Sequence, residues 1–216
     1  MRVYMPIQIG ARIFSLLLVI LQAQGQQGTA NPEASQQAVL KLAQKVRKEI
    51  VTQPQYGVFD NIHFGIQGDT VILRGQASRP TLKSGIERSV KRIEGVSKVQ
   101  NEIEVLPNSP NDDRIRAAVY ASLYTYAPLQ KYTSNRGRAR GGPSIARAAG
   151  GITNDPPMGF HAIHIIVKNG NVTLTGVVNS EADLAMAGMR ANTVPGVFSV
   201  DNDLQVASTS SRNGDD

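Results

Sequence analysis

An internal repeat with a spacing of 101 residues constrains the fold of this chain more than any other feature. The pattern V-x-L-x-G begins at Val71 and recurs at Val172. A second pattern, G-V-x-x-V-x-N-x-I/L-x-V, begins at Gly95 and recurs at Gly196, so the two patterns keep the same separation in both copies. This agreement indicates two structural modules of one kind, and a chain of 216 residues is long enough for two small domains.

An amphipathic segment precedes each copy of the repeat. Its apolar residues recur every four positions, as expected for one face of a helix. Between the copies these residues are separated by 73 positions instead of 101, so the second copy is predicted to carry an insertion of about 28 residues after its first helix. They are Leu42, Val46 and Ile50 in the first copy and Ile115, Val119 and Leu123 in the second.

An alternation of apolar and polar residues predicts a strand after each of these helices. A tight turn should join it to a second strand, because Asn169-Gly170 suits the positive φ angles of a type I′ hairpin turn. Gly68-Asp69 stands at the same place in the first copy. The alternating apolar residues are Ile62, Phe64 and Ile66 in the first copy and Ile163, Ile165 and Val167 in the second.

A second helix and a third strand complete each predicted module. The helix should begin near an N-capping serine, Ser78 or Ser180, and end near Gly95 or Gly196. The last strand, at residues 96–105 and 197–206, then returns as a crossover partner. We therefore predict an α+β fold of two helix–strand–strand–helix–strand modules. Each module has a three-stranded mixed sheet with two helices on one face.

Together these patterns resemble the BON domain, a family named for bacterial osmotically inducible and nodulation proteins. The resemblance extends over residues 38–106 and 112–207, and the tandem arrangement is similar to the periplasmic phospholipid-binding members of the family. It implies an α+β fold, binding of phospholipid or of envelope proteins without catalysis, and a part in envelope or osmotic-stress maintenance. The insertion at about residues 127–159 departs from the compact module of the family.

The N-terminal segment is predicted to direct export. Arg2 and Arg12 precede an apolar run at residues 13–21, and the small residues Ala23 and Gly25 follow it. The run is too short to span the hydrocarbon core of a bilayer as a helix. We therefore expect a signal peptide over residues 1–25 with cleavage near Gly25, a linker at residues 26–37, a disordered tail at residues 208–216, and a periplasmic or secreted protein.

We predict no catalytic site, no metal site and no cofactor, and hence no enzyme. The chain lacks cysteine, which excludes thiolate chemistry and cysteine-ligated metals. His161 and His164 should lie on opposite faces of a strand, at the surface, as should His63. The residues that recur in both copies instead suit structural roles, as turn glycines and inward-facing amides: Gly75, Gly95, Asn101, Gly176, Gly196 and Asn202.

A lipid-binding surface is predicted on the first helix of the second copy. Arginine pairs with lipid phosphate, and tyrosine suits a membrane interface, although the same tyrosines could instead pack between the modules or under the insertion. In lipid-binding members of the family the equivalent helix faces the membrane, which implies the same place here. The insertion adds further arginines. The predicted contacts are Arg114, Arg116, Tyr120, Tyr124, Arg136, Arg138 and Arg140.

The predicted partners follow from charge and from one apolar helix. The net charge of +6 favours an anionic phospholipid membrane surface over neutral ligands, and export disfavours nucleic acid. The alternative is a periplasmic chaperone or adaptor that binds envelope proteins as clients. It rests on the wide apolar stripe that carries Met186 and Met189, which either packs on the first module or offers an adaptable surface.

Overall fold

The computed structural model describes residues 32–134, 151–153, 155–157 and 159–207, with side chains from residue 36. The predicted signal peptide, the first part of the linker, the tail at residues 208–216 and the middle of the insertion lie outside these ranges. Arg136, Arg138 and Arg140 are among the residues that are not described. None of the described helices has the length and hydropathy that crossing a membrane requires.

The first module has the predicted order of elements. It consists of α1 (Pro32–Val51), β1 (Asn61–Gln67), β2 (Thr70–Ala77), α2 (Pro80–Lys91), β3 (Lys98–Asn101) and β4 (Glu104–Val105). Strand β1 is antiparallel to β2, whereas β3 and β4 are parallel to β2. The predicted last strand is thus interrupted, at a point where Ile103 donates its N–H to the side chain of Asn101.

The second module repeats this order around an inserted segment. It consists of α3 (Pro110–Tyr124), a 3₁₀ helix (Ala127–Tyr132), β5 (Ile163–Lys168), β6 (Asn171–Val178), α4 (Glu181–Asn192) and β7 (Ser199–Val206). Its strands lie in the order β5-β6-β7, with β5 antiparallel and β7 parallel to β6. The prediction of a repeated α+β module is therefore confirmed.

The turns and caps that end these elements agree with the sequence except at one helix. Asn169 and Gly170 both have positive φ angles, 53° and 80°, as a type I′ turn requires. Ser180 caps α4 by accepting a hydrogen bond from Asp183 N–H. The predicted cap at Ser78 is wrong, because α2 begins at Pro80 and Ser78 instead donates its N–H to the Asp60 carboxylate at 2.6 Å.

Each module has its own apolar core, but the second core also takes residues from the first module. Val58 and Phe59, which precede β1, are buried among the apolar side chains of α3 and β5. Asp60 fixes this short connection by accepting hydrogen bonds from Gly57 N–H and Ser78 N–H. The two modules are therefore joined where the segment at residues 57–60 of the first module enters the core of the second.

Candidate functional site

The tyrosines predicted to bind lipid lie in the interior of the second module. Tyr124 donates its hydroxyl to Ile163 O at 2.5 Å and accepts from Ile163 N–H at 3.3 Å. The Tyr120 hydroxyl lies 3.2 Å from Nε2 of His161, and Phe59 packs against the Tyr120 ring. Because both tyrosines are buried, they cannot enter a membrane interface, and the prediction of lipid contact is wrong for them.

The predicted arginines of α3 divide between interior and surface. Arg116 is only 2% exposed, donates to Asp113 Oδ1 and to Val167 O at 2.6 Å each, and cannot reach a lipid phosphate. The predicted lipid contact at Arg116 is therefore also wrong, since the helix turns this side chain inward to bind the β5 strand. Arg114 is exposed, with Asn111 Oδ1 3.3 Å from its guanidinium.

Two of the three histidines are not at the surface, which corrects the sequence prediction. His161 is 4% exposed because the returning end of the insertion lays it against the rings of Tyr120 and Tyr124. Burial lowers its pKa to about 4, and burial also lowers the pKa of the half-buried His164. His63 is exposed. Among the described residues no group of histidines and carboxylates could hold a metal ion.

The inward-facing asparagines link the last strand of each module to its second helix. Asn101 donates its amide to Lys83 O at 3.2 Å, and Asn202 donates to Leu184 O at 2.9 Å. Gly75 and Gly176 have positive φ angles, and a Cβ there would lie 1.9 Å from the backbone oxygen of Asn61 in β1 or of Ala162, which directly precedes β5. Gly95 and Gly196, which follow the helices, also have positive φ angles. These contacts and backbone conformations suit structural roles, and none of the six residues borders the cleft that opens beside β1.

A cleft of about 740 Å³ opens between the first module and the returning end of the insertion. Its walls come from the end of α1, the segment at residues 56–58, strand β1 and residues 159–161. All three histidines of the chain border it. Its lining residues are Arg47, Ile50, Val51, Tyr56, Gly57, Val58, Ile62, His63, Phe64, Gly159, Phe160, His161 and His164.

The cleft is mainly apolar, and among the described residues Arg47 supplies a strong cation at its border. Two of its apolar side chains are unusually accessible, since Val51 is 51% and Phe160 is 69% exposed. Arg47 is exposed on α1, and at neutral pH His161 is uncharged because its pKa is low. Burial raises the pKa of Tyr56 to about 12, so its hydroxyl also stays neutral. The cleft therefore suits a ligand with apolar groups and a negative charge.

The sequence regions that form the two modules both match one protein family. The BON domain matches residues 38–107 and 150–208, which together make up more than half of the chain. The chain belongs to the BON domain family. The BON modules here have the α+β arrangement described above, and a BON domain is generally a binding module and not a catalytic one. An envelope-associated binding role fits this family.

Two solved structures match this chain at low sequence identity. Both are of CdsD, a structural protein of the type III secretion system of Chlamydia trachomatis, and one is its C-terminal domain. They are 14% and 15% identical to this chain, cover 78% of it and 98% and 94% of their own chains, and have TM-scores of 0.25 and 0.26. A search of the curated proteins found no significant match.

The sequence did contain a signal for the cleft between the BON modules. At the spacing of 73 residues that relates α1 to α3, Arg47 corresponds to Tyr120 and Val51 to Tyr124. In the second BON module the two tyrosines fill the space beside β5, whereas in the first the corresponding space is the cleft. The replacement of two tyrosines by Arg47 and Val51 at the aligned positions thus marks the cleft. The sequence prediction, which relied on clusters of basic and aromatic residues, did not include it.

Proposed function

We propose that this chain is an exported, non-enzymatic binding protein of the bacterial envelope that holds an apolar, acidic segment of another polypeptide in the cleft. The observation that carries this proposal is an accessible apolar cleft beside a sheet edge, bordered by Arg47. A ligand pocket of this size, with apolar walls and few polar groups, is typical of specific binding sites. The role is that of an adaptor or chaperone in the envelope.

The apolar surface of α4 gives weaker support to client binding. This helix packs against α3, β6 and β7 of its own module, and Met189 remains exposed. Phe198 is 85% exposed but does not border the cleft. These two side chains are therefore useful as controls for apolar surface outside the proposed site.

A second candidate function is association with an anionic phospholipid surface. The observation that favours it is the net charge of +6, together with the exposed Phe160 and Arg114. Basic residues near an anionic membrane contribute about 1 kcal/mol each, and an exposed aromatic ring can enter the interface. Arg136, Arg138 and Arg140 would add to this attraction. This candidate does not by itself require an occupant in the cleft.

The proposal is tested by fluorescence anisotropy with a defined peptide. The probe is the fluorescein-labelled hexapeptide Gln-Tyr-Gly-Val-Phe-Asp, which copies residues 55–60 and combines apolar residues with an acid. We expect saturable binding to the full chain, weakened about tenfold by Val51→Asp or Phe160→Asp, because each variant places a carboxylate in the apolar cleft. Phe198→Asp is the matched control and should bind like the wild type.

Absence of saturable peptide binding up to millimolar concentrations would overturn the proposal. A parallel sedimentation assay uses vesicles of phosphatidylglycerol and of phosphatidylcholine. If Val51→Asp and Phe160→Asp abolish sedimentation with phosphatidylglycerol while the peptide does not bind, the cleft is a lipid site. Peptide binding that is equally strong in Val51→Asp, Phe160→Asp and Phe198→Asp would also contradict the proposed location.

A further inference from the structure

Strand β5 shows which backbone groups an edge strand of this fold turns away from its sheet. Lys168 and Asn171 flank the two-residue turn, so they form the hydrogen-bonded pair that closes the hairpin. Alternate residues are hydrogen-bonded to β6, and the residues between them turn their N–H and C=O groups to the outer edge. The outward residues are Ile163, Ile165 and Val167.

Each outward residue of β5 has a partner from elsewhere in the chain. Tyr124 bonds both backbone groups of Ile163, and Arg116 donates to Val167 O. Between them, Ile165 N–H donates to Val58 O at 2.7 Å. The segment at residues 57–60 is a turn in which Asp60 N–H donates to Gly57 O at 3.2 Å. It lies against the outer edge of β5 through the backbone hydrogen bond from Ile165 to Val58, and its Phe59 side chain enters the core.

Strand β1 has the same hairpin register as β5, but among the described residues its outer backbone groups have fewer hydrogen-bond partners. Gln67 and Thr70 close its hairpin, so Ile62, Phe64 and Ile66 turn their backbone groups outward. The Tyr56 hydroxyl interacts with the backbone of Ile62, as Tyr124 does with Ile163. In the described part of the chain, no hydrogen bond reaches the main chain of Phe64 or Ile66 from the outer side.

The cleft runs along this uncovered edge. Ile62, His63 and Phe64 all border it, although successive side chains of a strand point to opposite faces of the sheet. A cavity that contacts three consecutive residues must therefore lie beside the edge itself. An aliphatic lipid chain there would bury unpaired backbone groups, whereas an extended peptide would satisfy them.

We infer that the cleft binds its polypeptide ligand by strand addition, with the Phe64 N–H donating to a ligand carbonyl as Ile165 N–H donates to Val58 O. This inference rests on the proposed function and adds the mode of recognition. A side chain of the ligand packs against Ile50, Val51 and Phe64, in the way that Phe59 packs in the second module. The chain thus contains one occupied and one open copy of the same site.

Arg47 gives this site its preference for acidic ligands. It takes the position of Tyr120, whose ring packs against Phe59 in the occupied copy. A guanidinium there can stack on an aromatic ligand side chain and pair with a neighbouring carboxylate. We expect Arg47→Gln to weaken binding of the hexapeptide about tenfold more than Lys48→Gln, since Lys48 is exposed on the same helix but does not border the cleft.

The test is amide hydrogen exchange of the ¹⁵N-labelled full chain, measured by NMR with and without saturating hexapeptide. We expect the Phe64 amide to exchange about tenfold or more slowly when the peptide is bound. The exchange rates of two other amides should not change and serve as internal controls. The Gly65 N–H is hydrogen-bonded to β2, and the Ile165 N–H is already hydrogen-bonded to Val58 O.

Three outcomes would overturn the inference. If the peptide binds but the Phe64 amide exchanges as before, the ligand docks through side chains only, and the proposed function survives without strand addition. If the Ile165 amide loses protection instead, the peptide displaces residues 57–60 from β5 and the site is wrongly placed. If the peptide does not bind, the proposed function and the inference fail together.

Discussion

Histidine burial is the residue-scale feature that most changes the expected behaviour of the protein. Strand parity predicts His161 and His164 on opposite faces of a strand, but His161 lies before β5 and both histidines border the same cleft. Parity also carries no information about what covers either ring. The cover comes from Tyr120 and Tyr124 on α3 and from Tyr56 and Gly57 in the connection. The sequence gives no indication of these contacts, because they join residues that are distant in the chain.

The low pKa values of His161 and His164 predict that acid destabilises the protein. A buried histidine with a lowered pKa binds fewer protons when folded than when unfolded, so its contribution to stability is complete above the unfolded pKa of about 6.5. Stability should then fall as pH decreases from about 6.5 toward about 4, the pKa of His161 in the folded chain.

This expectation is checked by denaturant unfolding at a series of pH values. His161→Gln keeps groups that can hydrogen-bond to Tyr120 and Gly159 but removes the titration, so its stability should depend less on pH than that of the wild type in this window. His63→Gln replaces an exposed histidine and is the matched control. An equal pH dependence in wild type and His161→Gln would contradict the assigned cause.

At the scale of elements, helix α3 is a structural helix whose charged and aromatic residues hold strand β5. We expect Arg116→Gln to lower the free energy of unfolding by about 3–5 kcal/mol, because it leaves the buried Asp113 carboxylate without its cation. Arg114→Gln changes an exposed residue of the same helix and should stay within about 0.5 kcal/mol. The measurement is chemical denaturation followed by circular dichroism.

The outcome separates the structural role of Arg116 from a role in lipid binding. A lipid contact at Arg116 would show as weaker sedimentation with phosphatidylglycerol vesicles and an unchanged unfolding midpoint. A lowered midpoint, with vesicle binding per folded molecule unchanged, is the result that burial predicts.

Elements were more predictable from the sequence than the surfaces between them. The spacing of Ile115, Val119 and Leu123 predicts α3, and all three are buried in the structure. The same spacing cannot show whether Tyr120 and Tyr124, on adjoining positions of the helix, face solvent or the insertion. The predicted cap of α2 at Ser78 is also wrong. The Asp60 carboxylate, which precedes β1 in the chain, accepts the hydrogen bond from Ser78 N–H. Pro80 can begin the helix without a side-chain cap.

At the scale of the whole molecule, the two modules are coupled by the segment at residues 57–60. Phe59 belongs by sequence to the first module and by packing to the second. We expect Phe59→Ala to lower the free energy of unfolding by about 3–5 kcal/mol, as other truncations of buried phenylalanine do. The Ile165 amide should also lose protection from exchange, since its partner lies beside Phe59.

Phe198→Ala provides the comparison for this prediction. It removes an exposed ring from the second module and should change stability by less than about 0.5 kcal/mol. Equal effects of the two variants, or an Ile165 amide that keeps its protection in Phe59→Ala, would show that the second module does not depend on the connection.

The repeat explains both what the sequence reveals about the whole molecule and what it conceals. The positions that match at a spacing of 101 residues predict the two sheets. In both copies the glycines adopt positive φ angles and the asparagines donate hydrogen bonds to the backbone of the second helix. The first helices follow a different spacing and carry different residues toward the edge strand. That divergence closes the edge of β5, whereas the described part of the chain leaves the edge of β1 open.

The central claim is that a polypeptide ligand binds at the open edge of β1. The most direct measurement is peptide binding by a variant in which tyrosines fill this site, as they fill the space beside β5. The double variant R47Y/V51Y places tyrosines where the second module has Tyr120 and Tyr124. We predict that it loses binding of the hexapeptide by at least about a hundredfold in fluorescence anisotropy, while its thermal midpoint stays the same or rises. Wild-type affinity in a folded R47Y/V51Y chain would contradict the assignment of the ligand to the edge of β1.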